Sequence, residues 1–361
     1  MFQLVQKSGL LLVFLIMSLF RAMAEAPASS TEKVMIAGEN PLGFDPGEVI
    51  LDHISDSHEW HFFDYKGSDG DVIHASVCLP VILYTPGAGL DIFSFKNLHH
   101  SPYKAFTLEG ENNIIRTDGR SFYDFSITKN VMQELIAVLL ILLVLLSVGR
   151  NYKRYGTTNA PRGLQSAIEV IVIFIRDQVA KPLLGAKSAK YLPYLLTIFF
   201  FIWINNMLGL FPGSANVTGN IAVTMTLAAF TFILILLGSK KAYWSHIFAP
   251  QGVPTFVKFI LIPIEFLSLF IKPIALMIRL FANMIGGHFM VLSLLMIIFI
   301  FTALFGISAG LGASVFSVAF AIFIYFLELL VAALQAYVFT ILSAVFISEA
   351  VADGHGPAEQ H

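Results

Sequence analysis

The sequence predicts an all-α polytopic membrane protein with five transmembrane helices. The last two are long and strongly tilted, and a small exported, mostly β N-terminal domain precedes them. Three observations carry this expectation. Of 361 residues, 57% are hydrophobic and only 13% charged, with a mean hydropathy of +0.76, whereas a soluble domain carries roughly a quarter charged residues. The charges concentrate between about residues 25 and 130 and thin out beyond. The apolar runs of the second part are long enough to span a bilayer, and basic clusters follow two of them. A net charge of −2 leaves no basic face for nucleic acid. The single cysteine, Cys78, excludes an internal disulfide.

The N-terminus, "MFQLVQKSGLLLVFLIMSLFRAMAEA", pairs Lys7 with an apolar run over 9–20 and the small-x-small site Ala22-Met23-Ala24. A run so short fits a signal peptide over 1–24, with a retained anchor as the alternative. Residues 25–128 then form the exported, periplasmic domain. "VIHASVCLPVILYT" (72–85), closed by Pro86-Gly87, and "SFYDFSI" (121–127) read as strands. The segment "DHISDSHEWHFFD" groups His53, His58 and His61 with four acidic residues. Its histidine spacing is one residue short of the helical zinc motif, so a strand or turn with solvated polar groups is the expected reading.

The membrane domain is expected over 129–348. Its first span, 131–149, ends in Arg150, Lys153 and Arg154, which mark the cytoplasmic side. Residues 163–184 are apolar on one side and carry Glu169, Arg176, Asp177 and Lys181 on the other. That pattern suits a helix lying on the cytoplasmic surface or docked on a neighbour. Spans over 191–211 and 220–238 are joined by the uncharged hairpin "PGSANVTGN", near which Asn205, Asn206 and Asn220 cap helix ends or bridge helices. Lys240 and Lys241 return the chain to the cytoplasm. Two apolar helices, 259–305 and 313–348, divided by "GISAGLG", complete the membrane domain, and 349–361 form a cytoplasmic tail. Thirty-six residues of helix extend roughly 54 Å against a hydrocarbon layer of about 30 Å, hence the tilt.

From Phe259 to Ser348 the only formally charged side chains are Glu265, Lys272, Arg279 and Glu328. A mid-membrane arginine costs roughly 3 kcal/mol on insertion scales, and its guanidinium stays protonated at any accessible pH. It suits a fixed positive charge rather than proton transfer. Lys272 is placed to snorkel toward a headgroup, whereas Arg279 lies too deep to do so. Asn283 is one turn from Arg279 on the same face. Glu265 lies fourteen residues earlier, about 40° away in direction, and His288 nine residues later, about half a turn round. Gly286 and Gly287 permit close approach of another helix. Glu328 and Gln335, seven residues apart, share a face of the last helix. Histidine and a desolvated carboxylate both titrate near neutrality. These groups therefore describe two proton paths separated by a permanent cation, with the mobile carboxylate supplied by a second protein.

The segments "PIEFLSLFIKPIALMIRLFANMIGGH", "FLELLVAALQAYVFTILS" and "GLQSAIEVIVIFIRDQVAK" resemble the subunit a family of F-type ATP synthases over roughly 120–350. The resemblance implies a non-catalytic, proton-translocating subunit without cofactor or metal, in a bacterial inner membrane. Its partners would be a c-subunit ring, b-type peripheral stalk subunits and the rest of the synthase. Arg279 matches the essential arginine that faces the ring carboxylates, and Asn283 and Gln335 match the polar residues beside it. His288 and Glu328 match the pair of the exported half-channel, and Glu265 the acidic residue of the cytoplasmic one. Gly209 stands where some relatives have an acidic residue, and the exported domain exceeds the short leader of many relatives. ATP chemistry is not expected in this chain, since no P-loop occurs. A self-contained transporter would require an internal repeat, which is absent. An intramembrane protease would require a second membrane histidine or a serine with its base, and a mere anchor would not need buried charges.

Overall fold

The computed structural model describes residues 45–66, 72–99, 102–109, 113–156, 163–211, 213–250 and 254–352. The expected signal peptide lies outside the described residues. The N-terminal domain starts with a helix that hydropathy alone did not indicate, α1 (Pro46–Ile54). Seven short strands follow, β1 (Glu59–Lys66), β2 (Val72–Cys78), β3 (Pro80–Thr85), β4 (Gly89–Ser94), β5 (Phe106–Glu109), β6 (Asn113–Arg116) and β7 (Tyr123–Asp124), with α2 (Lys96–His99) between β4 and β5. They pair antiparallel into three small sheets, β1-β2, β4-β3-β7 and β5-β6. The run expected as one strand over 72–85 splits at Leu79, which is buried and hands β2 to one sheet and β3 to another. Of 121–127, Tyr123 and Asp124 form the strand, and the Phe125 and Ile127 N–H groups also donate to β3 (2.8 and 3.1 Å).

Alternation organises β3. Val81, Leu83 and Thr85 point inward, and the two apolar ones join Phe93, Phe95, Leu98, Phe106 and Ile114 in a small core. The histidine-rich segment divides between the end of α1 and the start of β1, and the side chain of His53 lies outside the described residues. His58 is buried, stacked on Phe95 at 5.3 Å between ring centroids, with Nε2 3.5 Å from Asp124 Oδ2. Burial pushes the Asp124 carboxyl up, but hydrogen bonds from His58 and Ser126 outweigh it and hold the group below its ordinary value. His61, by contrast, is exposed.

Among the described residues, five helices are long and apolar enough to cross a membrane. The first, α3 (Lys129–Tyr155), receives its N-terminal cap from the N-terminal domain. Asp56 accepts from the Asn130 backbone N–H (3.2 Å) and the Thr128 hydroxyl (2.8 Å), and the Lys129 N–H donates to the Ser57 carbonyl (2.9 Å). A carboxylate over the first N–H groups also complements the helix dipole.

The amphipathic segment is α4 (Leu164–Phe174), a π-helical stretch (Ile175–Ala180) and a last turn, α5 (Lys181–Leu184). Ile168, Ile175, Val179 and Leu184 are buried against the bundle. On the outer side Asp177 bridges Arg176 (2.9 Å) and Lys181 (2.8 Å), so the segment docks on neighbouring helices through its apolar side. Gly185, with φ of +52°, releases the chain into the second span, α6 (Ser188–Gly209). The third, α7 (Ile221–Gly238), is N-capped by Asn220, whose Oδ1 accepts from the Ala222 N–H (2.9 Å). A short helix, α8 (Lys241–Phe248), leads to α9 (Thr255–Phe305) and α10 (Ile307–Val351).

At 51 and 45 residues, α9 and α10 extend about 77 and 68 Å if straight. The break between them is narrower than the seven-residue divider expected. Gly306, at φ +86°, makes the reversal alone, and "ISAGLG" is already helical. Any Cβ at Gly306 would be strained. Gly310 packs so closely on Thr302 that a side chain there would overlap its hydroxyl. The helix runs to Val351, past the end at 348 expected for it. Small residues on α10 (Ala332, Ala336, Ser343 and Ala344) are buried where it meets the bundle, the close-packing mode of membrane helices. Tyr194 of α6 bonds Thr231 of α7 (2.8 Å), which reaches Ser343 of α10 (3.5 Å).

Candidate functional site

Along α9 a stripe of Leu269, Pro273, Leu276, Leu280 and Met284 turns into the bundle. Arg279 is next to Leu280 in sequence and therefore about 100° off that stripe. It is exposed, as are Asn283 one turn on and the apolar Ile271, Ile274 and Ile278. Among the described residues no carboxylate pairs with Arg279. The arrangement is a cation beside one amide on an otherwise apolar outer face of the helix.

Glu265 is half-buried one end away, about 21 Å from Arg279 along the axis. Nearby, Lys272 pairs with Glu349 at the end of α10 and lies over the Phe346 ring at 5.4 Å. The lysine expected to reach a headgroup thus finds an internal partner, one that sequence reading missed because 77 residues separate the two. Burial pushes the Tyr243 phenol up, and the charges of Glu349 and Glu265 push in the same direction. The acidic groups at this end therefore gather around the foot of α8.

About 13 Å beyond Arg279 in the other direction, the Glu328 carboxylate packs on Gly287, the residue before His288, across the α9–α10 contact. Of the two adjacent glycines, only Gly287 serves this approach. A Cβ on it would overlap the Glu328 carboxylate and lie 2.9 Å from Cδ, whereas a Cβ on Gly286 meets nothing within 4 Å. Glu328 is half-buried, and its Oε1 is enclosed without a hydrogen-bond partner among the described residues. A buried carboxylate oxygen in that state is costly unless it is protonated or solvated. His288 is also half-buried, with Nε2 turned toward α6: a Cβ at Gly209 would lie 3.9 Å from it. Gly209 of α6 is therefore the residue that borders the histidine.

One turn further along α10 from Glu328, the Ala332 carbonyl accepts from Asn206 Nδ2 (3.3 Å), and Asn206 Oδ1 accepts from the Thr218 hydroxyl (2.6 Å). Gln335, buried at 6% exposure, lies in the next turn. Asn205 donates within its own helix to the Phe201 carbonyl (2.9 Å). The bridging and capping roles expected for the asparagines thus fall to Asn206 and Asn220.

A substitution separates the packing role of Gly287 from its neighbour's. Gly287→Ala should leave the yield of the assembled protein near wild type, because the atom displaced is the mobile end of Glu328. Displacing the Glu328 carboxylate from this contact should nevertheless lower the activity of the assembled protein roughly tenfold, about 1.4 kcal/mol on a barrier. Gly286→Ala should leave activity unchanged. Equal activities in the two variants would dissociate the glycine from the carboxylate.

The comparisons with known proteins identify the family. The family described as ATP synthase A chain matches residues 131–348, well over half of the chain, and a family described only as a domain of unknown function matches 49–133. The chain is similar to the ATP synthase subunit a of Chloroherpeton thalassium, 45% identical over 248 residues that cover 66% of this chain and 72% of the relative. It is 43% identical to that of Pelodictyon phaeoclathratiforme over 276 residues, 75% of each chain. A relative from an Anaeromyxobacter species is 41% identical over 324 residues, 87% of this chain and 73% of its own. The chain, a multi-pass membrane protein by its five apolar helices, belongs to the ATP synthase A chain family.

Proposed function

We propose that this chain is the proton-translocating stator subunit of an F-type ATP synthase, with two half-channels that meet beside a ring of c subunits. The observation that carries this reading is the position of Arg279, exposed on the outer face of α9 and paired with no carboxylate among the described residues. A fixed cation in an apolar face demands a mobile anion from a partner, and a ring of mid-membrane carboxylates supplies one repeatedly. A carboxylate opposite Arg279 is held ionised, so a proton cannot pass the arginine on the ring. It must leave on one side and be replaced on the other, and the ring turns.

In this scheme His288 and Glu328 serve the exported half-channel. Glu265 serves the cytoplasmic one, and Asn283 and Gln335 flank the arginine. The first span and its basic end set the orientation. The N-terminal domain is exported to the periplasm, the membrane is the bacterial inner membrane, and the C-terminus is cytoplasmic. The stalk contact falls to b-type subunits. The chain performs no ATP chemistry itself and works as part of the synthase.

Purification in mild detergent tests the partnership directly. The chain is expected to co-elute with a small oligomeric membrane ring. Isolation free of any ring, together with proton transport by the chain alone in vesicles, would instead identify an autonomous transporter.

A further inference from the structure

Residues 213–219 join α6 to α7, and a loop in that position is ordinarily on the surface. Here Ala215, Asn216, Val217 and Thr218 are all buried. Four different elements hold the loop. The Gly213 carbonyl accepts from the Trp60 indole of the N-terminal domain (2.7 Å), and the Ala215 N–H donates to Gln133 Oε1 of α3 (2.7 Å). Asn216 Nδ2 donates to the Met284 carbonyl of α9 (3.3 Å), one turn before His288, and Thr218 bonds Asn206 of α6. Inside the loop, the Ala215 carbonyl oxygen would be 3.6 Å from a Cβ at Gly209, the residue bordering His288. A short route therefore runs from Gln133 past Ala215 and Gly209 to the histidine.

That route is bordered by polar atoms that the protein does not satisfy. Gln133 is only 2% exposed; its Oε1 is committed to Ala215, which fixes the amide and turns Nε2 the other way. Gln133 Nε2 is buried without a hydrogen-bond partner among the described residues. The same holds for Oδ1 of Asn130, one turn earlier on α3 and 3% exposed, and for Oδ1 of Asn205, one turn before Gly209 on the same face of α6 and 1% exposed. An orphaned buried polar atom costs about 1–3 kcal/mol, and native proteins satisfy such groups with ordered water where two or more converge.

We propose that Gln133, with Asn130 and Asn205, lines the inlet through which protons reach His288 from the exported side, with the 213–219 loop as its wall. An amide does not titrate at accessible pH, so Gln133 is a positioning residue that orders the solvent chain and carries no proton itself. This rests on the reading of His288 and Glu328 as the exported-side pair.

The test uses the whole synthase reconstituted in vesicles, with synthesis normalised to assembled complex. Gln133→Leu is expected to lower proton-driven synthesis on the order of tenfold, as for the loss of one buried polar partner. Gln133→Glu retains an acceptor for the Ala215 N–H and adds a titratable group to the inlet, so the dependence of synthesis on exported-side pH should shift. A residue that merely pegs the loop would leave that profile in place. An unshifted profile, or wild-type turnover in Gln133→Leu, overturns the assignment.

Should Gln133→Leu fail to assemble, Gln133→Cys in a Cys78→Ser background is probed with a small cationic thiol reagent. Block from the exported side supports the inlet, and full resistance overturns it. Glu328→Gln separates the two levels. If it is inactive while the Gln133 variants behave as wild type, only the inlet falls; if it retains full synthesis, the underlying reading falls with it.

Discussion

Replacing Arg279 by alanine is expected to abolish proton-driven ATP synthesis in reconstituted vesicles while the complex still assembles. Both halves of that expectation follow from the surroundings of the side chain. Arg279 is exposed on α9 and pairs with no carboxylate among the described residues, so its removal orphans no internal partner. It even relieves an insertion cost of roughly 3 kcal/mol. What disappears is the permanent positive potential that holds a facing carboxylate ionised. Ring carboxylates would then pass the site protonated, and rotation would no longer require transfer between the half-channels. Arg279→Lys is not expected to restore coupling, since a desolvated ammonium loses its proton far more readily than a guanidinium and lacks its planar fork. Synthesis driven by an imposed proton gradient, measured beside the yield of complex, decides the matter. Coupled synthesis in the alanine variant would refute the barrier.

Loss of either His288 or Glu328 is expected to slow proton-driven synthesis on the order of 100-fold, as for removal of a positioned acid–base group. The double exchange, His288→Glu with Glu328→His, should retain more activity than either single loss. The reason is geometric. Glu328 packs on Gly287, the residue before His288, so trading the two positions keeps an imidazole and a carboxyl at the same helix contact. Exchange requires the imidazole to occupy the space beside Gly287, which limits recovery to a part of the wild-type rate. Activity of the exchanged pair no higher than that of the single variants would dissolve the pair as a unit.

Much of the membrane architecture was legible because hydropathy and helix length obey one-dimensional rules. The five apolar runs and the apolar side of the amphipathic segment follow from period and length. The Gly286–Gly287 pair marked a close helix approach without naming the partner, which is α10, and only Gly287 serves it. What escaped was whatever depends on meetings between distant residues. Nothing near Lys272 announces Glu349, and nothing near Gly209 announces that it borders His288. The N-terminal domain was the least readable part. Its strands are short, their pairing is non-local, and a single buried residue, Leu79, divides one apparent strand between two sheets. The reversal at Gly306 was placed correctly but drawn too wide, since a lone glycine at positive φ suffices where a glycine-rich segment suggested a longer connection.

The bond from Trp60 to the Gly213 carbonyl joins residues 153 positions apart, and that separation has a consequence in time. The domain carrying Trp60 is synthesised first, and domains generally fold as units, N-terminal first. Under the proposed export of the N-terminal domain, the hairpin between α6 and α7 would reach the far side of the membrane after its docking surface had been built there. The order of biogenesis would then make the earliest part of the chain a template on which that hairpin closes.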